Sequence, residues 1–334
     1  MSTKTDLLDL LKKNIGTPIS GQQAAERLGV SRNAVWKAIS HLKEEGYPIE
    51  SRTRAGYCLT GIPDLLTLEH VRPHVLPDLD VDLHVEDTVT STNDVVKQAA
   101  WNDRPIVVIA NRQTGGRGRL GRKFESPGGT GIYISIGIKP DFSIAHSPFV
   151  TMAAAVAVCR AVKKVCGLET DIKWVNDVYY NRKKVCGILT EAQTNMENGE
   201  IDRLIIGTGV NCFPGSFPPE IAHKAGSLAD HAGAFSRSEL AAELLNQTLL
   251  IMNDVESRSF LDEYRRRCFI LGEVIHVHPL SSEREFPAKA LGIEDDGGLL
   301  VEYLDGENAG IREVLRTGEI SIRLSDQESF SMMP

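Results

Sequence analysis

Ile106-Val107-Val108-Ile109-Ala110 runs almost directly into Arg112-Gln113-Thr114-Gly115-Gly116-Arg117-Gly118-Arg119-Leu120-Gly121-Arg122-Lys123. The first five residues read as a buried strand, because a short continuous apolar run rich in β-branched side chains suits a sheet covered on both faces. Between Arg112 and Lys123 stand four glycines and five cations without one acid. Glycine lets backbone amides approach a ligand closely and guanidinium forks grip anions, so the stretch reads as an anion cradle hung from a strand end. Gly116-x-Gly118-x-x-Gly121 also fits the dinucleotide fingerprint, yet no βαβ unit with a suitably placed acid follows, and interleaved arginines are foreign to that motif. A repetitive arginine–glycine RNA-binding tail fits no better, since the pattern occurs once between two buried runs.

Around this loop, strand-like and helix-like segments alternate. Residues 83–86, 106–110, 131–138, 171–175, 185–190 and 204–210 predict strands, and 93–100, 152–165 and 238–255 predict helices. The expectation is an α/β domain with a mixed sheet flanked by helices, inside a multidomain α+β chain. Two polar constellations accompany the loop. Thr90-Ser91-Thr92-Asn93-Asp94 precedes a helix as a capping signature whose hydroxyls and free amides can also hold a polar ligand. Lys173-Trp174-Val175-Asn176-Asp177 stands at a strand end, followed by Arg182-Lys183-Lys184-Val185-Cys186-Gly187-Ile188-Leu189-Thr190-Glu191.

Upstream, Leu7, Leu8, Leu11 and Ile15 recur at helical spacing up to Gly16. Ser20 caps a short helix with Ala24, Ala25 and Leu28 inward; after Gly29-Val30, Ser31 caps a third with Val35, Ile39 and Leu42 inward. This is a helix-turn-helix pattern whose outward face carries Arg32, Asn33, Lys37, Ser40 and His41, with Trp36 expected to pack rather than stack on a base. Residues 47–59 add two strand-like runs around a basic tip with Arg52 and Arg54, a wing. The DNA-contacting candidates are therefore Ser31, Arg32, Asn33, Lys37, Arg52 and Arg54. Ile62-Pro63-Asp64 marks a linker. At the other end, residues 271–324 alternate short strands with Asp-Gly turns, as in a small β-barrel.

Composition bounds these readings. The chain has 334 residues, 37 basic and 45 acidic, a formal charge of −8, 42% hydrophobic residues, 29 Gly and 15 Pro, which excludes disordered and collagen-like classes. Residues 1–60 carry a net +3 and the remainder −11, so the head is the part suited to a polyanion. No apolar run reaches the length of a membrane span, and Met1-Ser2-Thr3-Lys4-Thr5-Asp6 lacks a signal h-region, so a soluble cytoplasmic protein is expected. Cys58, Cys159, Cys166, Cys186, Cys212 and Cys268 show no C-x-x-C spacing and are expected reduced and buried; His276-x-His278 alone does not make a metal site.

Ser91-Thr92-Asn93, the loop from Gln113 to Arg122, Lys173-Trp174-x-Asn176-Asp177, Lys184-x-x-Gly187-Ile188-Leu189-x-Glu191 and Gly207-x-Gly209-x-Asn211, in that order behind a winged head, closely resemble the bifunctional biotin protein ligase and biotin operon repressor family of bacteria. The resemblance spans almost the whole chain. It implies a winged helix-turn-helix domain at 1–62, a class II synthetase-like mixed α/β ligase domain at 63–270 and an SH3-like β-barrel at 271–334. It also implies a two-step reaction: biotin and MgATP give biotinyl-5′-AMP, whose mixed anhydride is attacked by a lysine of the biotin carboxyl carrier protein of acetyl-CoA carboxylase. The adenylate-loaded chain would further dimerise and bind operator DNA.

The residue types suit that chemistry. Pressing a carboxylate onto the α-phosphate sets two anions together, about 4 kcal/mol of repulsion at roughly 4 Å and an effective dielectric near 20, which placed cations must offset. By resemblance those cations are Arg117, Arg119 and Lys184, the last chosen over Lys183 by its K-x-x-G spacing, since adjacent strand residues face opposite ways. Ser91, Thr92, Asn93 and Gln113 suit a ureido ring's two donors and one acceptor, and Gly116, Gly118 and Gly187 join Arg117, Arg119 and Lys184 around biotin. Arg119, Arg122, Lys173, Asn176, Asp177 and Asn211 fall to ATP, with Asp177 on the Mg²⁺ side. Phe124 departs from the tryptophan of some members and keeps an aromatic surface. The alternatives are a ligand-sensing regulator without turnover and a lipoate or octanoyl ligase.

Overall fold

The computed structural model describes residues 3–44, 47–52, 55–61, 64–100, 104–140, 147–194, 201–215, 217–279, 284–316 and 320–324. The chain divides into two units, Met1–Leu65 with His231–Ser238, and Leu66–Asp230 with Glu239–Pro334.

In the first unit, α1 (Thr3–Lys12), α2 (Gly21–Leu28) and α3 (Arg32–Glu44) precede a hairpin of β1 (Ile49–Arg52) and β2 (Gly56–Leu59). The helices start and stop where their caps say. Ser20 Oγ accepts from Gln23 N at 3.1 Å while Gln23 Oε1 accepts from Ser20 N at 3.0 Å, and α2 ends at Gly29 in the left-handed region (φ 66°). Ser31 Oγ accepts from Ala34 N at 3.2 Å at the head of α3. Leu7, Leu11, Ala24, Val35, Ile39 and Leu42 form the core, as their spacing predicts. Two expectations are corrected. Ile15 lies beyond the end of α1 and is 42% exposed, because the helix stops at Lys12. Trp36 is 57% exposed: Val35, Ala38, Ile39 and Leu42 set the inward stripe of α3, and Trp36 falls on the opposite side with Arg32, Asn33 and Lys37. Arg52 pairs with Glu50, Nε to Oε2 at 3.0 Å, and Arg54 lies outside the described residues. Asp64 anchors the 231–238 segment, accepting from Arg237 N at 3.0 Å and pairing with the buried Arg237 guanidinium.

The second unit contains α4 (Leu68–Val71), β3 (Asp82–Val89), α5 (Thr92–Gln98), β4 (Ile106–Gln113), β5 (Gly131–Ile138), α6 (Ser147–Cys166), β6 (Asp171–Lys173), β7 (Asp177–Tyr180), β8 (Lys183–Thr194), β9 (Ile201–Asn211), α7 (Pro219–Ala222), most of α8 (Arg237–Met252) and α9 (Leu261–Arg267). Seven strands form one mixed sheet in the order β3-β4-β5-β9-β8-β7-β6, parallel between β3 and β4 and antiparallel elsewhere. Every residue of β5 is buried, and α6 is buried almost throughout from Phe149 to Val162, packing on β8 and α9. The four-residue β7 and the short α4, α7 and α9 lay outside the periodic signal.

The remaining strands are β10 (Val274–Pro279), β11 (Phe286–Ile293), β12 (Leu299–Tyr303), β13 (Arg312–Leu315) and β14 (Ile320–Leu324). They pair antiparallel in the open order β13-β12-β11-β10-β14. The Asp-Gly turns fall between them as expected, with Gly306 N donating to Asp305 Oδ1 at 2.7 Å. Five cysteines are buried, Cys166 is half-buried and all six are free thiols. Among the described residues no cluster of three His, Cys, Asp or Glu could hold a metal, and no helix is long and apolar enough to cross a membrane.

Candidate active site

β4 ends at Gln113, and from there a polar chain runs across the sheet. Gln113 Oε1 accepts from Thr92 N at 2.8 Å and Thr92 Oγ1 at 3.1 Å, while its Nε2 donates to Ser126 Oγ at 3.0 Å. Ser135, in the fully buried β5, sits 2.6 Å from Thr92 Oγ1 and 2.5 Å from Asn93 Oδ1. Asn93 Nδ2 donates to Glu191 Oε2 and Lys97 Nζ to Glu191 Oε1, both at 2.6 Å. Burial pushes the Glu191 carboxyl up, but the bonds from Lys97 and Asn93 outweigh it and hold the group below the usual carboxylate range. Gly207 lies against the Asn93 amide, where any side chain would collide. Arg203 of β9 donates to Val96 O at 2.5 Å and Ala99 O at 3.2 Å, fixing the last turn of α5. Ser91 is the N-cap residue of α5 but makes no side-chain capping bond; it lines the cleft described below, so of the two uses expected of it, cap and ligand wall, the capping bond is not made.

The glycine-rich loop starts by extending the β3 edge, with Thr114 N donating to Val89 O at 2.9 Å and Gly115 N to Thr90 O at 2.7 Å. It then closes on itself through Gly118 N to Arg122 O (2.6 Å) and Phe124 N to Gly116 O (3.0 Å). Gly116 sits under the Phe124 carbonyl and the Ser126 hydroxyl with no room for a Cβ, and faces neither cavity described below. Arg117 meets Asp94 Oδ1 at 2.5 Å and Glu191 Oε2 at 3.6 Å, whereas Arg119 Nη1 donates to Asn176 Oδ1 at 3.0 Å. Phe124 lies over Gly187 and Gly209, which face each other in the β8–β9 register; a side chain at Gly209 would overlap its ring. The ring also stands edge-on to Tyr133 at 6.4 Å and 75°.

The cationic end is built by β6 to β8. Lys184 Nζ donates to Asp177 Oδ1 at 2.6 Å, while Lys183 turns the other way and packs on Gly226. The alternation of a strand thus separates two adjacent lysines. Asn176 Nδ2 donates to Ile188 O at 3.0 Å, leaving its oxygen for Arg119. Burial pushes Lys173 down to about 8, opposed by Asp177 and reinforced by the charges of Lys184, Lys224 and Arg122. Burial likewise lowers the Arg119 guanidinium, partly offset by Asp177.

These residues enclose a cleft of about 230 Å³ whose wall includes Ser91, Thr92, Asn93, Gln113, Arg117, Gly118, Arg119, Arg122, Lys173, Asn176, Asp177, Lys184 and Gly187. A second cavity of about 390 Å³ adjoins it, and Arg122, Lys173, Asp177 and Lys184 face both. Asn211 lines the second alone. One end of the cleft therefore offers neutral donors and acceptors, the other converging cations, with Lys184 at the junction. Sequence reasoning gave no role to Ser135, Asp94, Lys97 or Glu191; the isolated serine in an otherwise apolar strand was the signal available for the first.

Two family models match the chain: the Biotin/lipoate A/B protein ligase family over residues 85–211 and an HTH domain over residues 3–58. The bifunctional ligase/repressor BirA of Bacillus subtilis (strain 168) is 34% identical over 318 residues, 93% of this chain and 96% of the relative. That of Escherichia coli (strain K12) is 28% identical, covering 92% and 94%. The biotin protein ligase from Aquifex aeolicus in complex with biotin and ATP superimposes with a TM-score of 0.61 at 28% identity, covering 73% of this chain and 99% of that one. With likeness at this level running from the winged head through the cleft, the chain belongs to the bifunctional ligase/repressor BirA family.

Proposed function

We propose that the chain is an ATP-dependent biotin protein ligase that also represses transcription of biotin genes through its winged head. The observation that carries the reading is the place of Lys184, which faces both the neutral-walled cleft and the cationic cavity. Biotin's ureido ring suits Ser91, Thr92, Asn93 and Gln113, and ATP phosphates suit Arg122, Lys173 and Lys184, with Arg119 spanning the two. The biotin carboxylate and the α-phosphate then meet beside Lys184 and Arg119, whose charges offset their repulsion. Arg117 is already neutralised by Asp94 and Glu191, which supports a part in closing the loop over biotin. Asn176 orients Arg119, and Asn211 reaches the nucleotide from the far wall. Gly116 supports the loop from beneath, and Gly118 and Gly187 leave the cleft open.

Mg²⁺ fits as a passenger of ATP. Asp177 is one carboxylate in the shared wall, and Mg²⁺ usually takes one or two carboxylates with phosphate oxygens and water. It would neutralise phosphate charge there. In the second step a lysine of the biotin carboxyl carrier protein attacks the biotinyl-5′-AMP carbonyl and AMP leaves. In the head, Arg32, Asn33 and Lys37 share an exposed face of α3 suited to the major groove, with Ser31 at its start and Arg52 on the wing suited to phosphates; Arg54, outside the described residues, keeps the phosphate role expected from sequence. The adenylate-loaded chain dimerises on a two-fold operator and acts in the cytoplasm.

A three-part division at 1–62, 63–270 and 271–334 accommodates these roles, the last part an SH3-like cap. A four-strand meander whose fifth strand returns to the first supports that cap, as does Trp174 Nε1 donating to Gly297 O at 3.1 Å. The test is direct. Incubated with biotin, MgATP and an apo carrier domain, the chain should add one biotin to one lysine, read by mass spectrometry, and shift operator DNA more strongly with biotin and ATP present. An unmodified carrier would overturn the ligase reading.

A further inference from the structure

Past α7 the chain returns to β8 at the proposed reaction centre. Lys184 N donates to Lys224 O at 2.8 Å and Gly226 N donates to Lys184 O at 2.9 Å, an isolated parallel pairing of Lys184 with Ala225. Lys183 packs on Gly226 from the other face, so both lysines of β8 grip this strap. The Lys224 backbone is thus fixed beside Lys184, and the residue lines the second cavity but not the first.

That cavity is out of charge balance. Its wall carries Arg122, Lys123, Lys173, Lys184 and Lys224 against Glu125 and Asp177. Lys123 meets Glu125 at 2.7 Å and Lys184 meets Asp177 at 2.6 Å, which leaves Arg122, Lys173 and Lys224 as excess positive charge. Lys224 is near enough that its charge helps to push Lys173 down. Such converging like charges call for a polyanion rather than a single carboxylate.

We propose that Lys224 binds the β- and γ-phosphates of ATP and the pyrophosphate they become; this rests on the ligase reading above. In the adenylation step a carboxylate oxygen bonds to the α-phosphorus, the bond from that phosphorus to the α,β-bridging oxygen breaks, and the electron pair leaves on that oxygen as pyrophosphate. Lys184 serves the junction where the bond forms. Lys224, confined to the second cavity, serves the end where charge accumulates.

Pyrophosphate exchange separates the roles. In full-length Lys224→Gln, the half-saturating concentrations of ATP and pyrophosphate should each rise about tenfold, as for loss of a charge-assisted bond. Lys224→Arg should restore most of the effect. Biotin half-saturation should stay put, and so should transfer from supplied biotinyl-5′-AMP to the carrier, a step without pyrophosphate. Unchanged ATP and pyrophosphate values overturn the proposal, as does an equal loss in the transfer step, which marks a merely structural part. Absence of exchange in the unaltered chain would instead overturn the ligase reading, and this proposal with it.

Discussion

Lys184 and Lys183 differ in one respect that matters: the first reaches Asp177 across the hairpin and the second is spent on Gly226. Under the proposed function, replacing Lys184 or Arg119 by Ala removes a cation that offsets the charge developing during adenylation. Biotin-dependent pyrophosphate exchange should fall about 10²- to 10³-fold with unchanged circular dichroism; normal exchange in both variants would sink the assignment. Lys173 brings a pH dependence whose sign is fixed. Held near 8 in the folded chain, it is charged below that pH and neutral above it, so phosphate binding weakens as pH rises from 7 to 9. kcat/KM for ATP should therefore fall with a midpoint near 8, and Lys173→Arg, always charged, should remove that limb; an identical profile in the variant would refute the cause. At this scale the residue types were legible but their pairings were not. The loop arginines read alike in sequence, yet Arg117 is neutralised by Asp94 and Glu191, which lie far from it in the chain. Gly187, Gly207 and Gly209 likewise owe their place to the ring of Phe124 and the amide of Asn93, which only the fold brings over them.

Among the elements, caps and periodicity carried the head. Ser20, Gly29 and Ser31 mark the helix boundaries because each satisfies backbone groups locally, and local signals survive in sequence. Trp36 did not follow, since an aromatic residue in a short helix takes whichever side its neighbours' stripe leaves it. β7 escaped notice because four residues between two turns hold too little alternation to read. Deletion of residues 1–62 leaves Asp64 in place to hold Arg237, so it removes the helices and hairpin of the head without stripping that contact. The truncated chain should lose operator binding in a gel-shift assay and keep exchange activity. Binding that persists after truncation would refute the head assignment. In the full chain, Lys37→Ala should flatten the dependence of operator affinity on salt by about one counterion.

Over the whole molecule, charge is divided unevenly: a net +3 in residues 1–60 and −11 in the rest, with Arg122, Lys123, Lys173, Lys184 and Lys224 gathered on one cavity wall of the second unit. The mixed sheet was legible from its alternation of buried runs and helical stretches, whereas its strand order was not, because pairing depends on contacts between distant segments. The C-terminal sheet reaches the candidate site through Gly297, against Trp174, a link that no local pattern announces. What the molecule assembles is a neutral-walled cleft adjoining a cationic cavity, and the most direct test of the proposed ligase chemistry is exchange of labelled pyrophosphate into ATP by the full chain with magnesium, in parallel with biotin and with lipoate. Exchange with biotin and none with lipoate is the predicted result; exchange driven by lipoate, or by neither acid, would contradict it.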